Sequence, residues 1–135
     1  MNRLEIYIDG ASKGNPGPSG IGIIIIKDGC VIREIGRYIG PATNNIAEYT
    51  ALVCALQEGL ALKADTLRIK SDSELLCRQL NKVYKVKSAN IIGLYTQALN
   101  LLSGFKEVSI KHIPREENAF ADKLATQAVK EALKR

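Results

Sequence analysis

Leu4, Ile6 and Ile8 alternate with Glu5, Tyr7 and Asp9, a period of two that predicts a half-buried strand. A turn-rich stretch from Gly10 to Gly20 follows, and then a β-branched run, Ile21 to Lys27. Asp28-Gly29 signals a hairpin into Cys30 to Tyr38, so the chain opens with three antiparallel neighbours. Gly40-Pro41 breaks this pattern, and Thr43-Asn44-Asn45 offers caps for a helix from Ile46 to Leu62. Thr66 to Lys70 reads as a short strand, and Asp72-Ser73 caps a helix to Leu80. Lys82 to Lys87 is a basic connector, and a further helix spans Asn90 to Leu102. Val108 to Ile113 is a strand stopped by Pro114, and a last helix runs from Glu117 or Asn118 to Leu133. The order βββαβααβα implies an α/β domain, a mixed sheet with helices on its faces.

Composition narrows the class. A chain of 135 residues fits one domain, taken as 1–135. With 46% hydrophobic and 24% charged residues it is neither disordered nor fibrous. The longest apolar run, Ile21 to Ile26, is far shorter than a bilayer span, so no membrane is expected. Met1 opens directly onto a strand, which predicts no leader peptide. Cys30, Cys54 and Cys77 are scattered and odd in number, which disfavours disulfides or zinc and points to a reducing cytoplasm. A net charge of +5 leans toward a polyanionic partner.

Four acids on this basic chain sit where propensity does not demand them. Asp9 ends the first strand, Glu48 lies in the first turn of the long helix, Asp72 follows the fourth strand, and Asp122 begins the last helix. Singly, each suits a turn, a cap or a helix dipole. Jointly they all fall at strand ends and helix starts, which converge on one crevice in an open α/β sheet. Two carboxylates about 4 Å apart repel by roughly 4 kcal/mol at an effective dielectric near 20, so four together must protonate or bind cations. An all-oxygen ligand set suits Mg²⁺ or Mn²⁺, and two such ions neutralise four carboxylates. A pair of metals about 3.5–4 Å apart is an arrangement for displacement at phosphorus.

Four blocks resemble the type 1 ribonuclease H family. They are Tyr7-Ile8-Asp9-Gly10-Ala11-Ser12 with Gly14-Asn15-Pro16-Gly17, Thr43-Asn44-Asn45-Ile46-Ala47-Glu48, Ser71-Asp72-Ser73, and His112 through Asp122. The resemblance covers nearly the whole chain and implies a five-stranded mixed sheet. It implies endonucleolytic cleavage of the RNA strand of an RNA–DNA hybrid, with Asp9, Glu48, Asp72 and Asp122 holding two ions. Asp9 would bridge both, and Asp72 would serve the side of the attacking water. Products would carry 5′-phosphate and 3′-hydroxyl ends. His112 matches a family histidine that assists proton transfer or product release. The charged Pro-Arg-Glu-Glu that follows it leaves Arg115 as a candidate to share that work.

The resemblance also places Gly10, Asn15, Thr43, Asn44, Asn45 and Ser73 at substrate-contacting positions. Glycines in the first turn permit close approach to a groove, where the ribose 2′-hydroxyl marks RNA. Their spacing does not fit a dinucleotide-binding loop. Pro41 stands where relatives often carry a phosphate-binding arginine, and Glu74 stands where some carry a neutral RNA contact. Leu80 to Ile91 is too short for the extra basic helix of some relatives, and Lys82, Lys85 and Lys87 with Tyr84 are a modest substitute. A monomer without base specificity is expected. Two alternatives stand beside it: a non-catalytic nucleic-acid-binding module on the same scaffold, and a related metal nuclease acting on DNA.

Overall fold

The computed structural model describes residues 2–134. β1 (Arg3–Ser12), β2 (Gly17–Lys27) and β3 (Cys30–Ala42) form an antiparallel meander. α1 (Asn44–Ala61) leads to β4 (Thr66–Ser71), then α2 (Glu74–Leu80), α3 (Ala89–Leu102) and β5 (Glu107–His112). One turn of 3-10 helix, Arg115–Asn118, opens onto α4 (Ala119–Leu133). The strands lie in the order β3-β2-β1-β4-β5, with β4 parallel to both β1 and β5. This is the mixed five-stranded sheet with helices on both faces that the hydrophobic pattern implies.

Strand alternation sorts the two faces. Ile21, Ile23 and Ile25 join Leu4, Ile6, Ile8, Leu67 and Ile69 in a core completed by Leu52 and Leu56 of α1. The intervening glycines of β2 face α4. A Cβ at Gly22 would lie 2.0 Å from the Ala121 carbonyl oxygen, and one at Gly20 would lie 2.5 Å from that of Ala125. Only a residue without a side chain lets α4 rest its backbone on the strand, and that contact sets the height of Asp122 above the sheet.

The ends of the elements differ from the sequence reading in ways that matter for the site. α1 starts at Asn44, two residues earlier than expected, because Thr43 Oγ1 alone caps it by accepting from the Ile46 N–H at 3.2 Å. Asn44 and Asn45 are therefore inside the helix, and Glu48 lies in its second turn, not its first. Ser73, not Asp72, caps α2, its Oγ accepting from the Leu76 N–H at 3.2 Å. Asp72 is thereby released from cap duty. β5 stops at His112, and the Ile113 N–H bonds to the Ser71 carbonyl at 2.9 Å. Residues 82–87 form an irregular connector without helix or strand.

Candidate active site

β1 is the strand where the sheet changes direction, with antiparallel β2 on one side and parallel β4 on the other. Such a switch point leaves a crevice beyond the strand ends. The β1–β4 register pairs Ile8 with Ser71, so the next residues, Asp9 and Asp72, stand side by side at the rim. Glu48 arrives from α1 because Gly10 has no side chain: a Cβ there would lie 2.4 Å from the Ala47 carbonyl carbon. The Gly10 N–H donates to Glu48 Oε1 at 2.7 Å and locks the carboxyl beside Asp9.

One carboxylate oxygen from each of Asp9, Glu48 and Asp72 lies within 4.8 Å of the other two. Asp9 and Glu48 are buried, 5% and 7% exposed, and Asp72 is half-buried. Asp122 lines the same cleft of about 500 Å³, together with Arg115. Glu48 Oε2 is buried and has no hydrogen-bond partner. An anionic oxygen left orphaned in this way costs free energy unless a proton or cation meets it.

The electrostatics follow from this crowding. Burial, and then the charge of Glu48, hold the Asp9 carboxyl well above the usual carboxylate range. Burial also raises Glu48, opposed by its hydrogen bonds from Asp9 and from the Gly10 N–H. Burial raises Asp72, against the amide of Asn118 and the positive charge of Arg115. An all-carboxylate set with an unpartnered oxygen suits hard divalent cations. Asp9, Glu48 and Asp72 therefore fit a metal site, with Asp122 on the same wall.

The other expected positions separate. Gly10, Asn44, Asn45 and Ser73 line the acidic cleft. Asn15 and Thr43 line a neighbouring polar cavity of about 410 Å³, which shares Asn44 and Asn45 with the cleft. Asn15 Oδ1 accepts from the Asn44 N–H at 2.9 Å and pins the glycine-rich turn to the start of α1. Asn44 Oδ1 accepts from the Ser12 N–H at 3.1 Å. Glu74 is engaged by Arg78, Nε to Oε1 at 2.9 Å. His112 is exposed at the end of β5 and does not line the cleft. Arg115, on the 3-10 turn three residues later, does.

The sequence reading missed Asn118 as a site residue. It is 1% exposed, and its Nδ2 donates to the Ile8 carbonyl at 2.8 Å, tying the start of α4 to β1 beside Asp9. Its signal, an asparagine just before a helix, is the ordinary signal of a cap.

Comparison with known proteins places this geometry. The family described as reverse transcriptase-like matches residues 7–128. Ribonuclease HI of Halobacterium salinarum is 40% identical over 131 residues, which are 96% of this chain and 66% of the relative. The chain spans 35% of the length of three mycobacterial relatives, each 37% identical over 129 residues. The crystal structure of RNase H1 from Halobacterium salinarum superposes with a TM-score of 0.93 at 39% identity, covering 96% of this chain and 99% of that one. LC11-RNase H1 in complex with an RNA/DNA hybrid gives 0.91 at 39% identity, with the same coverage. With a mixed sheet, an acidic crevice at its switch point and these relatives, the chain belongs to the type 1 ribonuclease H family.

Proposed function

We propose that this chain is a metal-dependent endoribonuclease that hydrolyses the RNA strand of RNA–DNA hybrids, leaving 5′-phosphate and 3′-hydroxyl ends. The observation that carries the reading is the triad of carboxylates within 4.8 Å, two of them buried and one half-buried, with one buried oxygen that has no partner. Asp9, Glu48, Asp72 and Asp122 would hold two Mg²⁺ or Mn²⁺ ions. Divalent ions bound there supply an activated water and neutralise charge on the phosphate being displaced.

The chain's own residues do the rest. The Gly10 N–H fixes Glu48, and Asn118 fixes the α4 end against β1, so the acids are oriented before substrate arrives. Arg115 brings a positive charge to the wall that faces Asp72, where a scissile phosphate is attracted. With His112 exposed and off that wall, we assign to Arg115 the part of the histidine's role that a fixed positive charge can fill, electrostatic support of the phosphate as product leaves, and not proton transfer. Gly10, Asn44, Asn45 and Ser73 present small polar and backbone groups along the cleft, suited to a 2′-hydroxyl that both donates and accepts. Asn15 and Thr43 extend that surface into the adjoining polar cavity.

The domain is read as one unit acting as a monomer. Its free thiols at Cys30, Cys54 and Cys77 suit the cytoplasm. No helix among the described residues is long and apolar enough to cross a membrane. The test is gel analysis of a hybrid labelled on each strand in turn, with Mg²⁺, Mn²⁺ or EDTA. Cutting of the RNA strand alone, lost in EDTA, is expected. Binding without cutting in either metal would favour the non-catalytic module. Equal cutting of duplex DNA would favour the DNA nuclease.

A further inference from the structure

We propose that the buried pair Tyr49–Gln79 is a positioning device that holds the backbone of the basic connector against the nucleic-acid track, so that grip on the hybrid depends on it. The proposal rests on the substrate named above but not on the cleavage chemistry.

Tyr49 follows Glu48 on α1 and is 1% exposed. Its hydroxyl donates to Gln79 Oε1 at 2.6 Å. Gln79, 6% exposed on α2, turns its amide the other way, and Nε2 donates to the Lys85 carbonyl at 3.4 Å. A carboxamide accepts at one atom and donates at the other, so a single side chain joins the helix that carries Glu48 to the middle of the connector. Neither residue lines the acidic cleft, and the proposed chemistry uses neither.

The start of the connector is held separately. The Val83 and Tyr84 N–H groups donate to the Arg78 carbonyl at 2.7 and 3.2 Å, and Asn81 Nδ2 donates to the Ile110 carbonyl at 3.1 Å. The Arg78 guanidinium lies 5.4 Å from the Tyr84 ring centre. Beyond Tyr84, the connector is held by the Gln79 amide and by Val86, half-buried against the core. Lys82, Lys85 and Lys87 are all exposed.

The location gives the connector its target. The acidic cleft and the polar cavity beside it share Asn44 and Asn45, and that cavity reaches Ser88 and Asn90 at the connector's far end. A polyanion lying along this trough from the carboxylates reaches Ser88, the residue that follows Lys87 in the connector. Lysines on a loose segment lose conformational freedom when they bind a phosphate, and a segment ordered beforehand loses less. Gln79 supplies that order.

Tyr49→Phe tests this with least disturbance. The ring keeps its edge-to-face packing on Tyr95, centroids 6.4 Å apart, and loses only the hydroxyl. Gln79→Leu is the second variant, and Lys82, Lys85 and Lys87 all changed to Gln is the reference background. Kd for a fluorescein-labelled RNA–DNA hybrid is read by anisotropy in EDTA, over about 0.05–0.2 M salt. We expect Tyr49→Phe to raise Kd about 3–10-fold and to flatten the salt slope by about one charge. In Mg²⁺, KM rises by a similar factor while kcat moves less than about two-fold. In the lysine-free background the same change moves Kd less than about 1.5-fold, because its effect runs through the lysines.

An equal factor in both backgrounds overturns the proposal, since the bond then acts on the body of the fold. So does an unchanged Kd in both Tyr49→Phe and Gln79→Leu, or a lysine-free variant that binds as tightly as the parent. A parent that binds hybrid without cutting it refutes the nuclease reading alone, and the Kd series still decides this one. A parent that does not bind refutes both.

Discussion

Removing one charge from the acidic cleft should make the metal-free protein more stable. Asp9 is 5% exposed and has carboxylate oxygens of Glu48 and Asp72 within 4.8 Å. If all stay ionised, one such contact at 4.8 Å repels by roughly 3.5 kcal/mol at an effective dielectric of 20. If Asp9 instead keeps a proton at pH 7, holding it on a group whose ordinary value is 3.8 costs about 4 kcal/mol. Both routes give the same size, so the apo fold carries several kcal/mol of electrostatic penalty in this one corner. Asp9→Asn removes the charge and keeps the shape. Burying the amide takes back part of the gain, which leaves about 2–3 kcal/mol of net stabilisation. For a chain of this length that raises Tm by roughly 6–12 °C.

The pH dependence fixes the cause. The Asp9 carboxyl titrates higher in the folded chain than in the unfolded one. Below its unfolded value near 3.8 both states hold the proton, and the substitution gains nothing. Above it the unfolded chain releases the proton first, so the parent loses stability as pH rises. The advantage of Asn should therefore be small near pH 4 and grow toward pH 7 and above. Thermal melts by circular dichroism in EDTA across that range, repeated with Mg²⁺, read the effect. Divalent metal stabilises the parent by mass action and should narrow the gap. A variant that melts no higher than the parent at pH 7 in EDTA, or whose gain is flat with pH, would refute the reasoning.

The same Asp9→Asn protein, and Glu48→Gln, should show no RNA cleavage on a gel while keeping parental circular dichroism. Arg115→Ala, which removes a fixed positive charge from the cleft, should lower kcat by roughly 10²-fold, and His112→Ala should leave it within about two-fold. Single-turnover rates on a hybrid check that contrast, and a reversed order would return the role to the histidine. Gly22→Ala places a Cβ 2.0 Å from the Ala121 carbonyl oxygen, so it should cost about 1–3 kcal/mol in urea denaturation by pushing α4 off the sheet. The parallel Gly29→Ala at the hairpin meets no atom within 4 Å; its left-handed φ of 78° alone should cost about 1–2 kcal/mol in the same assay, with cleavage unaffected.

Asp72 was readable from the sequence because it follows the end of a strand, and Asp9 because it closes the Leu4–Asp9 alternation, although β1 runs on past it to Ser12, paired with Ser19 and Gly20 of the stretch that reads as a turn. Their meeting was not readable locally. It depends on the parallel pairing of Ile8 with Ser71, a contact between residues more than sixty positions apart. Glu48 was placed a turn too early because Thr43-Asn44-Asn45 offers three capping side chains and the chain uses only the threonine oxygen. Arg115 and Asn118 depend on a single 3-10 turn whose four residues carry no apolar periodicity. Without that turn the strand alternation of Val108 and Ile110 runs on to His112, so the strand pattern alone does not bring Arg115 to the cleft.

The glycines explain why the cluster cannot relax. Gly10 lets the backbone of α1 touch the end of β1, and Gly22 lets the backbone of α4 touch β2. Main chain, not carboxyl groups, thus sets where Glu48 and Asp122 stand relative to Asp9. A surface acid that meets a like charge swings its side chain into water, but Asp9 and Glu48 are buried on elements already in contact, and Glu48 is further fixed by the Gly10 N–H. The repulsion therefore has no mechanical outlet. What remains is chemical, a proton or a cation, and at neutral pH a divalent ion can neutralise two of these charges at once.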